Sequence, residues 1–177
     1  MKDDSMRVVY IHGYKGSPSN GKTEILGKSF HVVGPVLHEH PFLAISKLFT
    51  MLEELEENNE DFMIVGSSLG GYYADYVGSA FNVPTCLINP LPAPKYMKAV
   101  DKWYEYEQYL ETLKPNSTIS NPMLVLLDKG DEVFDYKLAY DKYCGRAKVV
   151  AYEGGSHRFD HMKEGIEHIE RLANTIV

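Results

Sequence analysis

The sequence predicts one α/β domain, a mostly parallel sheet of about six strands with helices on both faces. Three observations predict it. Short apolar, β-branched-rich runs recur along the whole chain, at Arg7 to Ile11, His31 to Val36, Asp61 to Val65, Val83 to Ile88, Met123 to Leu127 and Lys148 to Tyr152. Between them apolar residues return at helical spacing, most clearly at Phe42, Ile45, Leu48, Phe49, Leu52 and Leu55. Strand and helix in alternation require crossover connections, which are right-handed and lay the strands in parallel. The third observation is size: 177 residues with 44% hydrophobic content bury a sizeable core in a single domain, residues 1–177, without staples.

Composition excludes several partners. Eighteen basic against 25 acidic residues leave a net charge of −7, which argues against nucleic acid or an anionic membrane, and no basic cluster overturns it. The two cysteines, Cys86 in a strand pattern and Cys144 beside Gly145, form no Cys-x-x-Cys arrangement, so free thiols in a reducing compartment are expected. Met1-Lys2-Asp3-Asp4-Ser5 lacks the basic and apolar regions of a secretion signal, and no apolar run approaches a bilayer span. A cytoplasmic protein is expected. No compact cluster of metal ligands occurs, and neither metal nor cofactor is expected.

Taken in order, the first strand feeds His12-Gly13-Tyr14, where Gly13 permits close backbone approach. Gly16 to Thr23 then fits the phosphate-loop pattern G-x-x-x-x-G-K-[ST], which keeps a nucleotide-binding protein among the alternatives. Against it, four residues separate Ile11 from Gly16, Pro18 removes an amide from the cradle, and the chain has only four arginines. The simpler reading is a helix capped by Ser19 or Asn20 that continues through Lys22, Thr23, Ile25 and Leu26. After the second strand, the helix around residues 42–55 ends at the polar stretch Glu56 to Glu60.

The third strand carries the strongest signal. Phe62-Met63-Ile64-Val65 breaks at Gly66-Ser67-Ser68-Leu69-Gly70-Gly71, and helical spacing resumes at Leu69, Tyr72, Tyr73, Tyr76, Val77 and Ala80. A strand, a sharp turn and a helix with Ser68 at the apex suit a nucleophilic serine, because the turn lifts the hydroxyl clear of the sheet and only glycine lets neighbouring backbone pass so close. The five-residue pattern alone arises by chance in roughly 6% of chains this long, so partners must support it.

A serine is a weak nucleophile at neutral pH and needs a base, and the base needs a group to fix its tautomer. The fifth strand leads into Asp128-Lys129-Gly130-Asp131-Glu132-Val133, where Asp131 follows the glycine turn and can point back over the sheet; Asp128 is its rival. The sixth leads into Glu153-Gly154-Gly155-Ser156-His157-Arg158-Phe159, whose two glycines can swing His157 over Ser68; His161 is its rival. The order Ser68, Asp131, His157 is that of the α/β-hydrolase sheet. Backbone amides of Leu69 and Tyr14 are the candidate oxyanion donors, and His12 is expected to be a structural hydrogen-bonder.

One connection is long. Residues 91–121, proline-rich at Pro92 and Pro94 and then aromatic at Tyr96, Trp103, Tyr104, Tyr106 and Tyr109, suit either of two roles. They form a short helical cap that lends apolar surface to a substrate, chiefly through Tyr96, Trp103 and Tyr104, or a helix that only packs its aromatics on the domain.

Taken together, Tyr10-Ile11-His12-Gly13-Tyr14, Ser17-Pro18, Gly66 to Ala74, Asn89-Pro90, Gly130 to Tyr136 and Glu153 to Phe159 resemble the YqiA-like esterases, small bacterial α/β-hydrolases. The likeness spans nearly the whole chain. It implies a compact α/β-hydrolase fold and hydrolysis of small carboxylic esters, with acyl thioesters included, by Ser68, Asp131 and His157. After Asn89-Pro90 the chain departs from the family pattern, since Leu91-Pro92-Ala93-Pro94 and a compact aromatic segment replace a longer cap, so substrate range transfers least. A sheet of this fold used only for binding is the remaining alternative.

Overall fold

The computed structural model describes residues 6–97 and 103–176. Among these, six strands form one parallel sheet: β1 (Arg7–Ile11), β2 (His31–Val33), β3 (Phe62–Ser67), β4 (Thr85–Ile88), β5 (Met123–Asp128) and β6 (Lys148–Tyr152). Their spatial order is β2-β1-β3-β4-β5-β6. The helices are α1 (Gly21–Leu26), α2 (Pro41–Glu57), α3 (Leu69–Phe81), α4 (Trp103–Thr112), α5 (Tyr136–Tyr143) and α6 (Met162–Ala173).

Side chains alternate faces along a strand, so the apolar runs build two cores. Val9, Ile11, Ile64, Leu87, Val125 and Leu127 face one side, where α2, α3, α4 and α5 cover them with Leu48, Leu52, Val77, Leu110 and Tyr143. Val8, Tyr10, Met63, Val65, Cys86 and Leu126 face the other, against Leu26 of α1 and Met162, Ile169 and Leu172 of α6. Parallel register keeps like with like, pairing Val9 with Ile64, Val65 with Cys86 and Leu87 with Val125. Strands buried on both faces read as unbroken apolar runs, which is the pattern the sequence shows.

Two strands are shorter than their sequence patterns, for one reason. β2 stops at Val33 before Gly34-Pro35, and β4 starts after Pro84, because proline has no N–H to give the ladder. Along α2 the expected apolar face is buried at Ile45, Leu48, Leu52 and Leu55, while Phe42 in the first turn is exposed and meets Tyr109 of α4 edge-on.

The sheet winds outward in both directions from β1 and β3, with β2 beyond one and β4 beyond the other. Loops leaving the carboxyl ends of β1 and β3 therefore diverge and open a crevice between them, the general place for a site in such sheets. Gly13-Tyr14 and Ser68 sit on those two loops.

Within residues 91–121, a single tight turn at Pro94–Tyr96 precedes α4, and residues 98–102 lie outside the described residues. Trp103, Leu110 and Leu113 are buried in the core that α2 and α3 also line. The Tyr72 hydroxyl donates to the Leu110 carbonyl at 2.7 Å, tying α3 to the end of α4.

Candidate active site

Ser68 stands between β3 and α3 with φ +56° and ψ −124°, a left-handed backbone that a non-glycine residue adopts only when its surroundings force it. They do. Its N–H donates to the Ile88 carbonyl at 3.1 Å, and its carbonyl accepts from Gly71, Tyr72 and Leu91. The flanking glycines are obligatory: a Cβ on Gly66 would lie 2.2 Å from the Gly70 carbonyl oxygen, and one on Gly70 would lie 2.1 Å from that of Ile11. Strand, turn and helix are thus clamped closely together, with Ser68 lining the cavity above them.

That hydroxyl lies 2.9 Å from His157 Nε2. On the far side of the ring, Nδ1 lies 3.0 and 2.9 Å from Asp131 Oδ1 and Oδ2. An ionised carboxylate only accepts, so Nδ1 carries the proton and Nε2 accepts from the serine O–H. Asp131 is held by its own loop, because Oδ1 also accepts from the Val133 and Phe134 amides at 2.8 and 2.9 Å, and its side chain is only 3% exposed. The Phe134 ring meets the imidazole edge-on with centroids 5.0 Å apart.

The two rivals from the sequence pair with each other. Asp128, fully buried at the end of β5, accepts from His161 Nδ1 at 2.6 Å and from the amides of Ser156 and Asp160 at 3.2 and 2.7 Å. Tyr152 stacks on the His161 ring at 4.8 Å. Asp128 thereby fastens the loop that presents His157 from both sides. Gly155, at φ +75°, allows it, since a Cβ there would sit 1.9 Å from Asp128 Oδ2.

Two further residues hold this loop and stood outside the sequence reading. Buried Asn89 donates through Nδ2 to the carbonyls of Ser156 and His157, at 3.0 and 3.3 Å, while its Oδ1 accepts from the Asp128 amide at 2.9 Å. Glu132 accepts from the His157 amide at 2.9 Å, and that bond holds its carboxyl below the usual glutamate value. The Asn89-Pro90 pair was visible in the sequence, but nothing there disclosed that its partner is a loop almost seventy residues on.

Leu69 opens α3, so its N–H has no acceptor one turn back. Tyr14 follows Gly13, which comes so near Ser68 that a Cβ on it would lie 3.2 Å from Ser68 Cβ and 3.7 Å from Oγ. His12 is buried behind them: Nδ1 donates to the Gly13 carbonyl at 2.7 Å and Nε2 accepts from the Leu37 amide at 3.0 Å, the structural role expected of it.

A cavity of about 550 Å³ opens over Ser68, with Tyr96, Met97 and Phe134 on its apolar side and Lys22 and Arg158 on its polar side. Of the three aromatic residues expected to meet substrate, Tyr96 lines this cavity. Trp103 is buried one layer back, its indole N–H donating to the Pro94 carbonyl at 2.8 Å and its ring edge-on to Tyr14. Tyr104 is 74% exposed.

The phosphate-loop pattern folds as a capped helix. Asn20 Oδ1 accepts from the Lys22 and Thr23 amides at 2.9 and 3.4 Å, and Thr23 Oγ1 accepts from the Asn20 amide at 2.8 Å, so a reciprocal capping box takes up amides a phosphate would need. Among the described residues, no group of three or more His, Cys, Asp or Glu side chains is arranged to hold a metal ion, and no helix is long and apolar enough to cross a membrane.

Solved structures similar to this chain share the α/β-hydrolase fold. Est1E from Butyrivibrio proteoclasticus superimposes with a TM-score of 0.78 at 14% identity, over 94% of this chain and 86% of that one. The esterase domain of a Rhodothermus marinus protein gives 0.72 at 13% identity, over 98% and 88%. Among sequences, a UPF0227 protein of Shewanella woodyi is 24% identical over 181 residues, covering 92% of this chain and 97% of its own. The UPF0227 protein YcfP of Escherichia coli O9:H4 is 22% identical over 175 residues, covering 92% and 96%. The model of the uncharacterised protein family UPF0227 matches residues 7–174, and the chain belongs to that family.

Proposed function

We propose that the protein is a serine hydrolase that cleaves carboxylic esters, acyl thioesters included, through a covalent acyl-enzyme on Ser68. The observation that carries this reading is the unbroken relay from Ser68 Oγ through His157 to Asp131, each contact between 2.9 and 3.0 Å. The neighbours named as esterases support it at the level of the fold.

In the cycle, Ser68 Oγ attacks the ester carbonyl carbon while His157 Nε2 takes the hydroxyl proton. Asp131, already bonded to Nδ1, stabilises the imidazolium that forms. The Leu69 and Tyr14 amides receive the charge that develops on the carbonyl oxygen. His157 then gives its proton to the leaving alcohol or thiol, and a water activated by the same nitrogen releases the acyl group from Ser68. The cycle draws on protein groups and water alone.

Residues 91–121 act as a short cap, with Tyr96 against the substrate and Trp103 holding Tyr14 from behind. The unpaired thiols, Cys86 buried and Cys144 exposed, fit a reducing compartment, the cytoplasm. Treating the protein with a fluorophosphonate and mapping the adduct tests the central claim. Ser68 should be labelled stoichiometrically; no adduct, or one on another serine, would refute it.

A further inference from the structure

The phosphate-loop pattern leaves one side chain unexplained by its capping box, because Lys22 lines the cavity over Ser68. Arg158, next to His157, lines the same wall. A second cavity of about 580 Å³ adjoins the first, and Gly13, Gly16, Lys22, Ser67 and Arg158 border both. The two cations therefore stand at the junction, within reach of a molecule lying on Ser68.

Their setting is unusual for this chain. The protein carries net charge −7, yet no Asp or Glu lines the cavity over Ser68. Neither Lys22 nor Arg158 has an ion-pair partner among the described residues. The second cavity's lining adds a third cation, Lys163, and one carboxylate, Asp160, whose Oδ1 accepts from the Ser156 hydroxyl at 3.1 Å. Burial lowers the pKa of the half-buried Lys22 and the nearby Arg158 lowers it further, while the Asp160 carboxylate acts in the opposite direction without cancelling them. Two like charges are held together in a partly dry pocket, and the nearby Asp160 carboxylate offsets them only in part, so an incoming anion is favoured there.

We infer that the substrate is an anionic ester, whose non-reacting part carries a carboxylate or phosphate held between Lys22 and Arg158. This rests on the hydrolase reading and gives it a substrate class. Charge-assisted bonds to an ammonium and a guanidinium fix the far end of the molecule, and Ser68 meets its carbonyl. An acidic protein gains from such a pair in a second way, since the local positive field draws the anion toward Ser68 against the net negative charge.

Matched ester pairs test this. In one pair the charge lies on the acyl chain, mono-4-nitrophenyl glutarate against its methyl ester; in the other it lies on the leaving group, the butyrate ester of 4-hydroxybenzoate against that of methyl 4-hydroxybenzoate. The wild type should show kcat/KM higher by about tenfold to a hundredfold for the charged member of at least one pair, chiefly through KM. Lys22→Met combined with Arg158→Gln should bring that ratio to near one, and added salt should lower it in the wild type. A ratio near one in both pairs for the wild type, or one that the double substitution does not move, overturns the inference. Competition by glutarate against inorganic phosphate identifies which anion the site takes, and failure of both to compete also overturns it. If no ester is turned over and Ser68 is unlabelled, the hydrolase reading falls by itself. Chemical-shift titration of wild type and Lys22→Met with glutarate and phosphate then decides the anion site separately: binding that the substitution removes upholds it, and none refutes it.

Discussion

Replacing Asp131 by Asn should abolish most turnover while leaving the fold standing, and the hydrogen bonds around the carboxylate say why. Oδ1 accepts from the Val133 and Phe134 amides as well as facing His157, whereas Oδ2 faces His157 alone. An Asn side chain keeps its oxygen on the two amides and so turns its NH2 toward His157 Nδ1. The imidazole must then accept at Nδ1 and carry its proton on Nε2, pointed at the Ser68 hydroxyl it should deprotonate. A wrong tautomer of this kind lowers kcat by about 10⁴, or ~5.5 kcal/mol in the barrier. Folding loses little, about 1 kcal/mol, because the loop amides and one bond to the ring survive. The assay is hydrolysis of 4-nitrophenyl butyrate beside a thermal melt. Turnover within tenfold of wild type, with an unchanged melt, would refute the tautomer argument.

Asp128→Asn should do the reverse, since it breaks a buried acceptor of three donors; about 3 kcal/mol is expected, lowering the melting temperature by roughly 6 to 12 °C in a chain of this size. Trp103→Ala should destabilise by ~3 to 5 kcal/mol as a buried cavity, read in a urea titration, whereas Tyr96→Ala should change acyl-length preference with less than ~1 kcal/mol lost. Gly70→Ala should give no soluble folded protein, because its Cβ would strike two backbone carbonyls that cannot retreat. Lys22 has a folded-state pKa below its unfolded value, so its charge burdens the fold at neutral pH and the burden lifts as pH rises through the folded value. Preference for anionic esters should decline over that same window, below the ordinary lysine range near ~10.4, with Arg158 retaining part of it; a flat ratio across that window would contradict Lys22's part.

The fold was legible because strands of a covered sheet leave continuous apolar runs, and all six runs contain a strand of the sheet. Strand ends were read less well where proline cuts the ladder, at Pro35 and Pro84. At the site, Ser68 announced itself through Gly66 and Gly70, whose absent side chains are steric requirements and therefore local. Asp131 and His157 were legible as turn residues after successive strands. What the sequence could not show was the pairing of Asp128 with His161, since each looked like a competitor when judged singly. Asn89 stayed hidden for the same reason: its meaning lies in groups brought near only by the sheet. Trp103 illustrates the opposite limit, because aromatic composition does not tell a substrate wall from the layer behind it.

The twin Asp–His bridges span the same two loops, Asp131 to His157 and Asp128 to His161. Both are partly open to solvent through their imidazoles, and both are anchored on buried carboxylates, 3% exposed in Asp131 and 0% in Asp128. His157, the proposed base, is therefore tied against drifting from Ser68 by a local fluctuation of its loop, for the Asp128–His161 bridge would have to open as well. Amide hydrogens of Ser156 and Asp160 should exchange on the timescale of sheet-edge unfolding instead of loop motion. On the proposed function, the alignment of His157 with Ser68 becomes as long-lived as the attachment of β5 to β6, and heat should take away turnover and that sheet edge together.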